Sequence, residues 1–284
     1  MSDFRFPPAT NERQGEDERA ECRARYEKGR ELALLVNAFN QTEHLAMAMS
    51  VWNARSPGDR LSESEIARYL SDQIYSRAPR DFVAHPERIL SADQGRVVPS
   101  IAEIVRVDPR VRSFLNIGVY LGLLDFYLAQ RFPQLQFTGV DFWRDLEEAN
   151  APLAAANFRV VHGYPLDLIE AGAVAGDIAL FFSTACRIKN AELRRYLRSL
   201  GSRYLVIDEP VFALPTGEIL DADEIDPAAS RPAMMYPVFA GDREGGYPPC
   251  LVHNYRAIVE EGGWRVLHVS KSLAPSRFQI VAAR

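Results

Sequence analysis

A glycine turn and an acid that follows it at a set distance carry the clearest chemical signal in this chain. The run Phe114-Leu-Asn-Ile-Gly118-Val-Tyr120-Leu-Gly122-Leu-Leu-Asp125 reads as an apolar strand that breaks at Gly118 and re-enters a helix past Gly122. A second strand-like run, Gln136-Phe-Thr-Gly-Val140, ends on Asp141, 23 residues after Gly118. A glycine at a strand's end lets a ligand approach the backbone, because no Cβ stands in the way. A carboxylate at the end of the next strand can accept both hydroxyls of a ribose. Together they point to a nucleotide-like cofactor. The plainer alternatives are turn and packing glycines, with Asp141 as a helix cap.

Other residues could contribute chemistry around that centre. Phe142 and Trp143 follow the acid directly and could pack on a base, or lie in the core. Ser183 and Thr184 close an apolar run, as do Asp208 and Glu209. Adjacent residues in extended chain point to opposite faces, so only one of the two carboxylates is expected to face a site. A divalent cation needs more oxygen ligands than this stretch offers, so no metal is expected. A neutral imidazole is the usual proton acceptor near neutrality. His253 is the first candidate base, Tyr255 the second, and Asp208 is a further catalytic candidate; helix capping is the plain alternative for His253. His268 falls in a strand-like run and reads as structural.

These residues need elements to hold them. Strands are expected at 114–117, 137–140, 159–161, 178–182 and 204–207, with helices at 123–131, 143–157, 166–171 and 190–200. That alternation predicts an α/β fold with a parallel sheet covered on both faces. A helix is expected at about 251–261, followed by a turn at Gly262-Gly263 and closely spaced strands at 264–269 and 278–282, which suggest a hairpin. Residues 1–15 are expected to be a disordered tail, and 16–108 a helical region serving as a lid or dimerisation surface. Residues 109–284 are expected to form the cofactor-binding α/β domain. Within it, 210–250 loses periodicity and is expected to be a lid-like excursion.

The bulk properties limit what the molecule can do. At 284 residues, with 47% hydrophobic and 25% charged side chains, it can bury one large core or two modest ones. A formal charge of −5 offers no basic footprint for nucleic acid. The cluster Arg187, Lys189, Arg194, Arg195 and Arg198 falls at helical spacing and reads as a solvated face. Three dispersed cysteines suggest neither a disulfide framework nor a metal cluster, and no apolar run is long enough to span a bilayer. The first residues lack the apolar run of an export signal. A cytoplasmic protein with a small-molecule substrate, without nucleic-acid or membrane partners, is expected.

Taken together, residues from about 100 to 284 resemble a class I S-adenosylmethionine-dependent methyltransferase. Leu115-Asn-Ile-Gly-Val-Tyr-Leu-Gly122 is similar to the family's glycine-rich first motif, and Gly139-Val-Asp141 to its ribose-binding second motif. Asp177-Ile-Ala-Leu-Phe-Phe-Ser183 is similar to the fourth motif, and Tyr204-Leu-Val-Ile-Asp208 to the fifth. The terminal hairpin matches the way the family closes its sheet. The first motif departs from the pattern: Asn116 replaces an acid and Tyr120 a glycine. The resemblance implies a Rossmann-like methyltransferase sheet with S-adenosyl-L-methionine as cofactor. Asn116, Gly118, Tyr120, Gly122, Asp141, Phe142, Tyr164 and Ser183 would contact that cofactor. The reaction implied is methyl transfer to oxygen or nitrogen of a small molecule, as in biosynthesis, with a homodimer formed through the N-terminal helices. The alternatives are a non-catalytic scaffold or partner subunit, and a cofactor-binding enzyme doing other chemistry.

Overall fold

The computed structural model describes residues 4–6, 96–119, 122–142, 147, 153, 155–213, 219–235, 250–273 and 276–284. Helix α1 (Val97–Val107) leads into strand β1 (Ser113–Ile117), helix α2 (Leu123–Arg131) and strand β2 (Gln136–Asp141). Strand β3 (Phe158–His162), helix α3 (Pro165–Glu170), strand β4 (Ile178–Phe182), helix α4 (Asn190–Ser199) and strand β5 (Tyr204–Pro210) follow. Then come β6 (Phe212–Ala213), β7 (Ser230–Met235), β8 (Cys250–His253), helix α5 (Tyr255–Glu261), β9 (Arg265–Leu273) and β10 (Ser276–Ala283).

The main sheet has seven strands in the order β3-β2-β1-β4-β5-β10-β9. The first five run parallel, while β10 is antiparallel to both β5 and β9. This is the expected Rossmann-like sheet with its C-terminal antiparallel hairpin. Strand order reverses between β1 and β4, and in open α/β sheets ligands bind past the carboxyl ends of strands at such a reversal.

Two apolar layers sandwich the sheet, and successive residues of each central strand enter opposite layers. Phe114, Ile178, Leu180 and Val206 pack with α1 and α2. Leu115, Ala179, Phe181 and Leu205 pack with α3, α4 and α5. Burial on both faces is why these strands read as unbroken apolar runs, without alternation. At the amino ends of the strands, the Asp177 carboxylate accepts from the Arg112 and Ser113 amides, at 2.7 and 3.1 Å, and pairs with Arg203. That pole is tied shut, and the opposite pole carries the strand-end loops.

The structure revises several expected boundaries. Residues 250–253 form strand β8 and not the first turn of a helix, because they pair with Ser230–Ala233. Helix α5 starts at Tyr255, where the Asn254 carboxamide oxygen accepts from the Ala257 amide. The expected excursion at 210–250 is not wholly irregular: β6, β7 and β8 make a second, three-stranded sheet. Residues 4–6 are docked and do not behave as a loose tail, with Phe4 edge-on to Tyr204 and Phe6 stacked on His268. His268 lies in β9, half-covered, in the structural setting expected of it. The basic cluster lies along and before α4, where Arg195 pairs with Glu170 and Arg194 with Glu261, while Leu193 and Leu197 face the core. Most of the expected helical region at 16–108, and most of the expected helix at 143–157, lie outside the described residues.

Gly176 shows how tightly the sheet is seated. A Cβ placed there would stand 2.7 Å from the Leu115 amide nitrogen, and backbone cannot swing aside. Gly201 has nothing within 4 Å of its would-be Cβ. Gly176→Ala is therefore expected to lower unfolding free energy by about 1–3 kcal/mol in a denaturant titration. Gly201→Ala should stay within about 0.5 kcal/mol of the parent. Equal effects at the two positions would contradict this packing.

Candidate functional site

The carboxyl ends of β1, β2, β3 and β4 converge on one surface. Gly118 leaves β1 with φ +80°, its amide donating to the Val140 carbonyl at 2.9 Å. Val119 also donates to that carbonyl, and its side chain occupies the space where a Cβ on Gly139 would stand. Gly122, with φ +60°, caps α2. The turn is thus pinned to β2, one residue before Asp141. Asp141 ends β2 and is nine-tenths buried. Tyr120, the residue replacing a glycine of the first motif, lies outside the described residues.

Beyond Asp141 the surface becomes aromatic. Phe142 is 64% exposed and Tyr164, the residue before α3, is 43% exposed; their ring centroids are 6.2 Å apart. Among the described residues they are the large apolar side chains that stand most open to water. Tyr164 donates to the Glu192 carboxylate, and that hydrogen bond raises its pKa to about 12. It is therefore a neutral platform at physiological pH. His162 shares a 3.2 Å contact with the Phe142 carbonyl and holds the start of this slot.

At the end of β4 the backbone turns through a left-handed serine. Ser183 has φ +54°, a conformation that a non-glycine residue keeps only when its surroundings enforce it. Two contacts do so: the Ser183 amide donates to the Asp208 carbonyl at 2.8 Å, and Arg277 Nη1 donates to Ser183 Oγ at 2.7 Å. Arg277, 1% exposed, also donates through Nε to Asp208 Oδ1 and through Nη2 to the Asp208 carbonyl, while its guanidinium stacks on Phe182. Gln279 donates to Asp208 Oδ2 at 2.7 Å and accepts from Ser100 Oγ of α1 at 2.6 Å.

The neighbouring acid acts on the other face of the sheet. Glu209 accepts from the amides of Thr184 and Ala185 at 3.0 and 2.8 Å, and from that of Cys186 at 3.3 Å. These contacts hold the short turn Ala185–Arg187 and present Thr184 toward Gly118. A Cβ on Gly118 would lie 2.5 Å from Thr184 Oγ1. Gly118 is therefore demanded twice, by its positive φ and by this close approach.

The three expected catalytic groups are all buried. Asp208 is fully enclosed, and its carboxylate accepts from Arg277 and Gln279. His253 is 0% exposed; its Nε2 donates to the Ile188 carbonyl at 2.9 Å, and burial lowers its pKa. Tyr255 is 1% exposed, shares a 3.4 Å contact with the Leu251 carbonyl, and is pushed well above the ordinary tyrosine range by burial. His253 and Tyr255 pack edge to face between the second sheet and α5. His253 ends β8 and Tyr255 opens α5, and both side chains face inward.

Asn116 and Asp125 also fall inside the protein. Asn116 Nδ2 donates to Asp125 Oδ2 at 2.6 Å across the glycine turn. Burial pushes the Asp125 carboxyl up to about 7, against the opposing pull of that hydrogen bond. Sequence reading overlooked Arg277, Gln279 and Asp125. For the first two a signal existed: in Ser276-Arg-Phe-Gln-Ile280 polar and apolar residues alternate, which places Arg277 and Gln279 on one face.

No family model and no curated protein sequence matches this chain. Solved structures with a similar course include an O-methyltransferase-type protein from Nostoc punctiforme, 18% identical over 74% of this chain with a TM-score of 0.46; this chain spans 59% of it. An O-methyltransferase family protein from Burkholderia thailandensis is 12% identical over 97% of this chain and 74% of its own, with a TM-score of 0.46. Human N-acetylserotonin methyltransferase, solved with S-adenosylmethionine, is 12% identical over 86% of this chain and 68% of its own, at 0.45. Among the described residues, no helix is long and apolar enough to cross a membrane and no cluster of metal-ligating side chains occurs.

The Arg277–Asp208 pair is expected to be a strong local anchor. Arg277→Met leaves a buried carboxylate without its main partner, and unfolding free energy should fall by about 3–5 kcal/mol. The double variant Arg277→Met/Asp208→Leu should recover part of that loss in the same denaturant titration. A single variant within about 1 kcal/mol of the parent would show that the pair anchors nothing.

Proposed function

We propose that this protein binds S-adenosylmethionine across the ends of β1, β2 and β3 and transfers its methyl group to an oxygen or nitrogen of a small molecule. The observation that carries this reading is the juxtaposition at adjacent strand ends. A glycine turn with positive φ is pinned to β2, the acid Asp141 ends that strand, and the exposed Phe142–Tyr164 pair lies just beyond. Gly118 and Gly122 give the backbone room, Asp141 accepts the ribose hydroxyls, and the two aromatic side chains flank the adenine. Ser183 lies toward the reacting end of the site.

When bound, the cofactor supplies a methyl group on a sulfonium, already a strong electrophile. The protein's task is then to hold donor and acceptor in line and keep water out, and no protein base is required for an acceptor that arrives deprotonated or as a free amine. The burial of His253, Tyr255 and Asp208 is consistent with such a mechanism. A formal charge of −5 favours a small acceptor over nucleic acid.

One observation favours a second reading, a non-catalytic scaffold. Thr184 fills the space over Gly118, where the methionine part of the cofactor would pass. Calorimetric titration with S-adenosylmethionine and S-adenosylhomocysteine separates the two readings. The methyltransferase reading expects saturable binding of both ligands, weakened about ten- to hundred-fold in Asp141→Ala through loss of hydrogen bonds to a charged group. No binding of either ligand to the folded protein would overturn it and leave the scaffold.

A further inference from the structure

Asn116 and Asp125 bracket the glycine turn. Asn116 is in β1, two residues before Gly118, and pairs in register with Gly139 and Leu180. Asp125 is in the first turn of α2, three residues after Gly122. Both are almost fully buried, at 3% and 1% exposure. One hydrogen bond, Asn116 Nδ2 to Asp125 Oδ2 at 2.6 Å, joins them. Each then retains one oxygen, Asn116 Oδ1 and Asp125 Oδ1, buried and without a donor. Two orphan acceptors beside one short contact are costly in an apolar interior.

A single proton removes both defects. On Asp125 Oδ1 it turns an orphan acceptor into a donor and supplies what Asn116 Oδ1 lacks. Carboxylic acid and carboxamide can then meet edge to edge through two hydrogen bonds, which gives both orphan oxygens a partner. If the carboxamide were turned over, two oxygens would meet at the short contact, and a proton would be needed there instead. We propose that Asp125 is a neutral carboxylic acid in the folded protein and acts as a positioning residue, locking Asn116 and with it the 118–122 turn.

The surroundings agree. Among the described residues, no charged side chain acts on Asp125 from α2 or from β1, β2 and β3. Its hydrogen bonds come from Asn116 and its own backbone amide, and Arg131, Asp141, Arg159 and His162 on those elements exert no influence on it. Burial thus favours the neutral form, with no cation among the described residues to oppose it.

The sign of the pH dependence follows. The Asp125 pKa rises from about 3.9 in the unfolded chain to about 7 in the folded one. The native protein keeps a proton that the unfolded chain releases between those values. The stability contributed by Asp125 is full in acid, falls as pH rises through that window, and is lost above about pH 7.

Asp125→Asn replaces the neutral acid with a neutral amide of the same shape, which can pair with Asn116 in the same way. Melting temperatures of parent and variant should converge near pH 4–5, and the variant should gain steadily up to about pH 7 and then hold its advantage. A pH-independent difference, or a parent that becomes the more stable protein as pH rises, would overturn the proposal. The Asp125 13Cγ resonance, assigned by its absence in the variant, should titrate near pH 7 and not near 4. On the methyltransferase reading, S-adenosylhomocysteine affinity should decline above about pH 7 in the parent but not in Asp125→Asn. Absence of any binding would count against that reading alone, because the melting and resonance measurements need no ligand.

Discussion

Asp208 and Arg277 lie on adjacent antiparallel strands, sealed from water, and the floor of the site rests on their contact. Charges removed from water are tolerated only when nearly all their hydrogen-bonding capacity is met. Here the carboxylate takes one bond from Arg277 and one from Gln279, and the guanidinium reaches a carboxylate, a carbonyl and a hydroxyl while its face covers Phe182. Through Gln279 the arrangement reaches Ser100 on α1, and Arg96 donates to the Arg277 carbonyl at 3.1 Å. The closing hairpin is therefore fastened to the sheet's interior and to the helix that leads into β1. It also holds Ser183 in a backbone conformation that the residue would not keep alone.

Two successive acids at the end of β5 divide the work between the faces. Asp208 points to the layer of α1, and Glu209 points to the layer of α5. Between them they set Ser183, whose amide donates to the Asp208 carbonyl and whose hydroxyl accepts from the Asp208-bound Arg277, and Thr184, whose amide donates to Glu209. Thr184 in turn needs Gly118, and Val119 needs Gly139, so the glycine turn is shaped from two sides by protein contacts. What remains open is the end of β2 and the start of α3, where Phe142 and Tyr164 face water. The site is rigid on the β4 side and exposed on the β3 side, which suits a ligand lying across the strand ends.

Much of the sheet could be read from the chain. Strands buried on both faces announce themselves as apolar runs, and the Gly118 and Asp141 positions follow from local spacing. Opposed facing of Asp208 and Glu209 follows from strand geometry, although burial of both does not. The second sheet was hidden because β7 and β8 pair across a long separation, and neither carries enough local signal to call for the other. The same distance explains the inward turn of His253: its partner is the Ile188 carbonyl, 65 positions away. The burial of these polar side chains was not legible because sequence shows what a residue can do and not whom it meets. Asn116 looked like a lost charge for that reason, with Asp125 unrecognised nine residues on.

The central claim is that an S-adenosyl ligand lies over the strand ends between Gly118 and Asp141. A crystal structure determined with S-adenosylhomocysteine tests it most directly. The account predicts density across the β1 and β2 ends, ribose hydroxyls on the Asp141 carboxylate, adenine against Phe142 or Tyr164, and Thr184 moved off Gly118. A ligand bound elsewhere, or a saturated crystal with Thr184 still seated on Gly118 and no ligand density there, would contradict it.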